Sequence, residues 1–282
     1  MIAPAAHGAG GRPPASVIVP FAGSDAELAA LRERLGALAV RPGDEVIVSD
    51  NRGQAIHTPA HARNLAAAEA HCEWLVFLDA DAAPDAGLLE AYFDPPPGPR
   101  TAVLAGAIAD AAPPRAGLVA RHALARGQMS HRRTLERAGT PYAQTANCAV
   151  RRSAFQEVGG FVDRARAGED ADLCFRLSRA GWELEERPAA RVSHRPRATV
   201  RAWLCQLAVH GSGAQWLESR WPGEFPAPGA LALAARVGRH LAQAAATLLR
   251  GRGEQAAFAL LDAAGALAFE LGRLRDNTRQ RV

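Results

Sequence analysis

The sequence predicts a doubly wound α/β fold, and three observations predict it. Short β-branched or wholly apolar runs recur at residues 16–21 (SVIVPF), 45–49 (EVIVS) and 74–78 (WLVFL). Stretches with apolar residues at helical spacing separate them. The third run is apolar on both faces, as a parallel sheet covered on two sides requires.

Taken in order, residues 1–13 are rich in Ala, Gly and Pro and read as a flexible N-terminus. They lack the basic start and apolar core of a signal peptide. The first strand, 16–21, is followed by a helix that Asp25 is expected to cap, with Leu28, Leu31, Leu35 and Leu38 on one face. Residues 41–43 (Arg-Pro-Gly) break that helix before the second strand. A polar loop at 50–59 leads into an Ala-rich helix from Ala60, and 74–78 is the third strand. A Pro-rich loop at 95–98 precedes an expected strand at 101–109 and a helix across 116–138. Residues 150–191 alternate short strands and helices. From Thr199 the chain reads as almost wholly helical, broken at 221–229 (WPGEFPAPG), with 277–282 fraying. The domains expected are thus a catalytic unit at 14–198 and a helical C-terminal region at 199–282.

Composition narrows the function. Of 282 residues 48% are hydrophobic and 22% charged, which excludes a disordered or fibrous chain. The net charge is +4, and all 33 basic residues are Arg, scattered rather than gathered on a stripe with aromatics. No nucleic-acid partner is expected. The four cysteines, Cys72, Cys148, Cys174 and Cys205, form no C-x-x-C pair and are expected as buried reduced thiols. No uninterrupted apolar stretch of about 18 residues occurs, so no membrane span is expected and the location expected is cytoplasmic.

Ligands of doubly wound sheets bind beyond the carboxyl ends of the strands, so residues 20–22, 50–52 and 79–81 are the places to inspect. Asp79 and Asp81 follow the third strand two residues apart, so both carboxylates can face one hard divalent cation; the plain alternative is a polar strand end. Glu169 and Asp170 open a helix whose dipole favours an ionised Asp170, as a general base requires; the alternative is simple decoration of a helix N-terminus. Asp172 and Arg176, four apart, read as a surface pair. Arg63 opens the Ala-rich helix and is suited to a diphosphate, or else is a solvated Arg. His194 follows a short apolar strand and is a candidate third metal ligand, or else structural.

In order, these segments resemble the family 2 glycosyltransferases, inverting enzymes of the GT-A fold. The pieces are SVIVPF at 16–21, VIVSDN at 46–51, ARN at 62–64, WLVFLDAD at 74–81, NCAVRRSAFQEVGGF at 147–161, GEDADLCFRLSRAGW at 168–182 and ARVSH at 190–194. The resemblance covers roughly 16–200 and implies a mixed Rossmann-like sheet flanked by helices, with a C-terminal helical appendage. It implies that Pro20, Phe21, Asp50, Arg63 and Asp79 line the nucleotide pocket, with Asp50 near the base. Asp79 and Asp81 would be the D-x-D pair holding Mn²⁺ or Mg²⁺, joined by His194. Asn147, Gly160, Phe161 and Trp182 would shape the sugar and acceptor side. Asp170 would be the catalytic base, with Glu169 as runner-up.

Two departures stand out. Asp50 is followed by Asn51-Arg52-Gly53 where many relatives carry a second acid, and the Q-x-x-R-W motif of processive synthases has only a loose echo in QWLESRW at 215–221. The function implied is metal-dependent, non-processive transfer of a sugar from a nucleoside diphosphate sugar, UDP favoured, to an unknown hydroxyl acceptor (small molecule, glycan or lipid-linked). A retaining transferase on the same fold and an inactive nucleotide-sugar binding protein are the alternatives. The Ala- and Leu-rich segments 231–249 and 256–274 read as a packed hairpin, a peripheral membrane contact at the inner face, or a homodimer interface.

Overall fold

The computed structural model describes residues 11–113 and 115–278. Most of the expected flexible start, residues 1–10, and the last four residues of the segment expected to fray lie outside them. The predicted alternation is present: β1 (Ala15–Phe21), α1 (Asp25–Leu35), β2 (Glu45–Asp50), α2 (Pro59–Glu69) and β3 (Trp74–Leu78). There follow β4 (Ala82–Pro84), α3 (Leu88–Tyr92), β5 (Thr101–Asp110), α4 (Leu118–Arg126), α5 (Arg132–Leu135) and β6 (Asn147–Arg151). Then come α6 (Arg152–Glu157), α7 (Glu169–Arg179), β7 (Glu183–His194), α8 (Val200–Arg220), α9 (Ala230–Leu249) and α10 (Gly253–Gly272).

All seven strands join one sheet in the order β2-β1-β3-β6-β5-β7-β4. β2, β1 and β3 run parallel, β6 is antiparallel to both β3 and β5, β5 is parallel to β7, and β4 is antiparallel to β7. The sheet is therefore mixed. Alternate side chains feed two cores. Val17, Val19, Trp74 and Val76 pack with Leu31, Leu35, Leu88 and Leu89 on one face. Ile18, Leu75 and Phe77 pack with α2 alanines, Phe155, Phe161, Leu173 and Leu177 on the other. Burial on both faces is why β3 reads as an unbroken apolar run.

Two local expectations are corrected. Ser24, not Asp25, caps α1: its hydroxyl accepts from the Glu27 N–H, while the Glu27 carboxylate accepts from the Ser24 N–H at 2.8 Å. This reciprocal pair satisfies two helix-end donors, and Asp25 is the first helical residue. The single helix expected across 116–138 is two, because Gly127 turns left-handed (φ 52°) and ends α4.

The C-terminal helices are joined to the sheet domain. Leu217 of α8 and Trp221, which caps it, pack with Ala171 and Phe175 of α7, and Leu261 of α10 packs with Trp203 and Val119. Among the described residues α10 is the one helix long and apolar enough to cross a membrane by length and composition alone, with mean hydropathy 1.2 and a third of its window buried. Asn277 does not fray: it is buried, and its backbone carbonyl accepts from Arg166 N.

Candidate active site

The carboxyl ends of β1, β2 and β3 open into a cleft of about 1570 Å³ that runs on to α8. Pro20, Phe21, Arg63, Asp79, Asp81, Glu169, Asp170 and His194 all line it, so eight of the candidates meet in one place. At one end lie Pro20, Phe21 and Asn51. Asn51 is buried; its backbone N–H donates to Phe21 O at 2.7 Å and its Nδ2 to Thr58 O at 3.1 Å. Its Oδ1 is buried with no partner. Asp50, by contrast, is not on the wall. Arg52 grips it (Nη2–Oδ2 2.6 Å), also reaches Asp25 at 2.5 Å, and lies over the Phe21 ring. Those hydrogen bonds hold the Asp50 carboxyl down to about 2.

Arg63 is neither solvated nor open. It is 2% exposed, donating through Nη2 to Asp79 at 2.6 Å and through Nη1 to Glu169 at 2.9 Å. Its Nε is buried without a partner, and its guanidinium stands over the Phe161 ring. The helix α2 thus ties the end of β3 to the start of α7 across 106 residues of sequence.

Asp81, Asp110 and His194 converge because of strand register. Ala82 of β4 and Asp110 of β5 both face His194 of β7 in the sheet. His194 Nδ1 is 3.2 Å from Asp110, and its Nε2 is 3.6 Å from Asp81, which also has Arg197 at 3.4 Å. Burial opposes the imidazolium, but the two carboxylates prevail and raise His194 to about 9. Burial likewise opposes charge on Asp81, and His194 and Arg197 still hold its carboxyl below the ordinary range.

Among the described residues no three His, Cys, Asp or Glu side chains enclose a metal, so the expected trio is not formed as a set. One oxygen of Asp79, Oδ1, is taken by Arg63 at 2.6 Å. Asp81 and His194 do stand side by side, with Asp110 behind the imidazole as an outer carboxylate orients a ligating histidine. Mg²⁺ and Mn²⁺ accept one or two protein ligands when phosphate oxygens and water complete the shell, so Asp81 with His194 fits such an ion once the ion has displaced the proton from His194 Nε2. Asp110 was not singled out from sequence, although a carboxylate ending the strand expected at 101–109 carried the same signal as Asp79.

Asp170 follows the left-handed Gly168 (φ 83°), where an added Cβ would lie 2.8 Å from Leu217 of α8. The helix dipole does not decide its charge. Burial, with the negative Glu169 beside it, pushes Asp170 up to about 7. The turn before it is held from the far end of the chain: Asn277 Nδ2 donates to Ala167 O at 3.0 Å, and Ser212 Oγ of α8 to Asn277 Oδ1 at 3.2 Å.

Asp172 and Arg176 are not a surface pair. Asp172 is fully buried and accepts from Arg176 at 2.9 Å, from Arg220 at 2.5 Å and from Trp221 Nε1 at 2.9 Å. The loose QWLESRW echo therefore closes on α7 through its last two residues.

Besides Asp50, four candidates lie away from the cleft. Asn147 is sealed in the sheet, accepting from Tyr92 OH at 2.6 Å and donating to Ala107 O and Ala190 O at 2.9 Å, where β5 and β7 slip in register. Phe161 packs on Phe77 and Phe155 beneath Arg63, and the Gly160 carbonyl accepts from Arg176. Trp182 donates to Glu157 on the outer surface. Of the cysteines three are buried and Cys205 is exposed, on the cleft wall supplied by α8.

Residues 5–208 match the family described as glycosyltransferase-like family 2. A pre-mycofactocin glycosyltransferase of Mycobacterium tuberculosis is 34% identical over 167 residues, 58% of this chain and 36% of that protein. An N-acetylglucosaminyl-diphospho-decaprenol L-rhamnosyltransferase of the same organism is 42% identical over 82 residues, 28% of this chain and 27% of that one. The matches thus span about a third of these relatives' length. The mannosyltransferase PcManGT from Pyrobaculum calidifontis, solved with GDP-Man and Mn²⁺, superposes with TM-score 0.54 at 19% identity over 91% of this chain and 87% of that one. GalNAc-T7, solved with UDP, GalNAc and Mn²⁺, gives TM-score 0.52 at 14% identity over 81% and 51%. These two establish the GT-A fold.

Proposed function

Because the chain belongs to glycosyltransferase family 2, we propose that its cleft moves a sugar from a nucleoside diphosphate sugar, UDP-linked by preference, to a hydroxyl acceptor in one inverting displacement. The observation that carries this reading is two carboxylates in one cleft with opposite environments. Asp81 is held ionised by His194 and Arg197, and Asp170 is half-buried beside Glu169 with its proton affinity raised. Such a split supports a reading in which one carboxylate carries charge and the other moves a proton.

On this reading Pro20 and Phe21 flank the nucleobase, and the unpartnered Asn51 Oδ1 accepts one of its N–H groups. Asp81 and His194 would hold Mn²⁺ or Mg²⁺, while Asp79 stays paired with Arg63. A bound ion there supplies Lewis-acid neutralisation of the diphosphate. Arg63 keeps Asp79 and Glu169 at fixed separation, joining donor side to base side. Asp170 takes the acceptor's hydroxyl proton as that oxygen attacks the anomeric carbon. The bond from carbon to diphosphate oxygen breaks, and its electron pair leaves on the nucleoside diphosphate. Attack opposite the leaving group inverts the anomeric centre, as with the base of an inverting glycosidase. The transfer is non-processive and cytoplasmic, and the acceptor is a small molecule, a glycan or a lipid-linked alcohol.

The solved relatives hold GDP-Man in one case and UDP in the other, each with Mn²⁺. Calorimetric titration of UDP and GDP, with Mn²⁺ and with chelator, on wild type and Asp81→Ala tests the proposal. The expected result is binding of one nucleotide only with metal, lost in the variant. Absence of metal-dependent binding by any nucleotide overturns it.

A further inference from the structure

Helix α9 turns its apolar side away from the protein. Leu231, Ala234, Gly238, Leu241, Ala245 and Leu248 recur at spacings of three and four, the repeat of one helix face, and all six are exposed. Leu231 is 88% exposed and the adjoining Leu249 89%. The side that meets α10 is a different one: it carries Ala244, the buried residue of α9, and Arg236, which reaches Glu270. A stripe of this length facing water is the mark of a surface that something covers.

Charge says what covers it. From residue 230 to 252 the chain has four arginines, Arg236, Arg239, Arg250 and Arg252, and no acid. Among the described residues Arg236 alone of the four has a carboxylate partner, Glu270 at 3.3 Å. An apolar stripe bordered by arginines without acids is complementary to an anionic lipid surface, where leucines enter the acyl boundary and guanidinium groups meet phosphate. A second copy of the chain fits less well, since it would set the same arginine-bearing, acid-free segment against itself.

We propose that α9 docks this protein flat on an anionic membrane surface through its outward leucines. The docking needs neither donor nor turnover, so it stands or falls apart from the transfer reaction. The test is sedimentation of the full chain with phosphatidylglycerol and with phosphatidylcholine vesicles, for wild type and for Leu231→Asp/Leu241→Asp/Leu248→Asp. Light scattering gives the oligomeric state and circular dichroism the fold of each. The expected result is a monomer that partitions onto phosphatidylglycerol, binds phosphatidylcholine more weakly, and loses at least about tenfold in partition in the folded variant. A second variant, Arg239→Gln/Arg250→Gln/Arg252→Gln, should weaken binding to the anionic vesicles alone. No binding to phosphatidylglycerol, or binding unchanged in the leucine variant, overturns the proposal. So does a wild-type dimer that the leucine variant converts to monomer, which would assign the face to a second copy.

Discussion

Asp170 is a half-buried carboxyl that must lose its proton before it can accept another. A general base is useful only in its ionised form, and burial beside Glu169 places that change at about 7. Transfer by the proposed mechanism should therefore rise with pH through that region and level off above it, measured as kcat/KM at saturating metal. Asp170→Asn should keep donor affinity within about twofold and lower kcat by about 10²–10⁴, the ordinary worth of a positioned base. An unchanged kcat would pass the role to Glu169. The motif order made Asp170 legible in the sequence, but not its charge state: the dipole argument considered one helix, and the deciding neighbours arrive from other elements. Arg63 teaches the same lesson. Its helix-end position reads as solvated, and its burial is explained by contacts with Asp79, Glu169 and Phe161, the last two about a hundred residues away in sequence.

At the scale of the element, α7 and α8 are fastened at Asp172. Three donors from two helices meet one fully buried carboxylate. Asp172→Ala would leave Arg176 and the indole N–H of Trp221 without their acceptor, a loss of about 3–5 kcal/mol for a broken buried ion pair. Thermal or urea unfolding measures it; a change under about 1 kcal/mol would show that the pair is replaceable by water. The strands were legible because burial on both faces leaves an unbroken apolar signature, as in WLVFL. The helix across 116–138 was misread because helical spacing continues past Gly127, which breaks it. Asn147 was legible as a polar residue within a motif, but its work is to close a slip between β5 and β7, and no local pattern announces such a slip.

For the whole molecule, burial sorts the four thiols. Cys148 and Cys174 are pushed up by complete burial, Cys174 to about 12, and Cys72 is raised by burial as well. Cys205 alone opens to solvent, on the cleft wall. A thiol reagent should label one cysteine quickly in the native protein and four after denaturation, counted by mass spectrometry. If nucleotide fills the cleft as proposed, labelling of Cys205 should slow in its presence. Two or more fast thiols in the native protein would contradict the packing described. The C-terminal helices, read from the sequence as an appendage, supply that wall; periodicity shows that a helix forms, not what it lies against.

The clasp of Asn277 on Ala167 has a consequence in time. A ribosome makes the turn that carries the proposed base 110 residues before it makes the side chain that holds that turn. A nascent chain can complete its strands and display every family motif while that turn still lacks its clasp. Competence in this protein would then wait for the segment that carries Asn277, made well after the strands of the sheet.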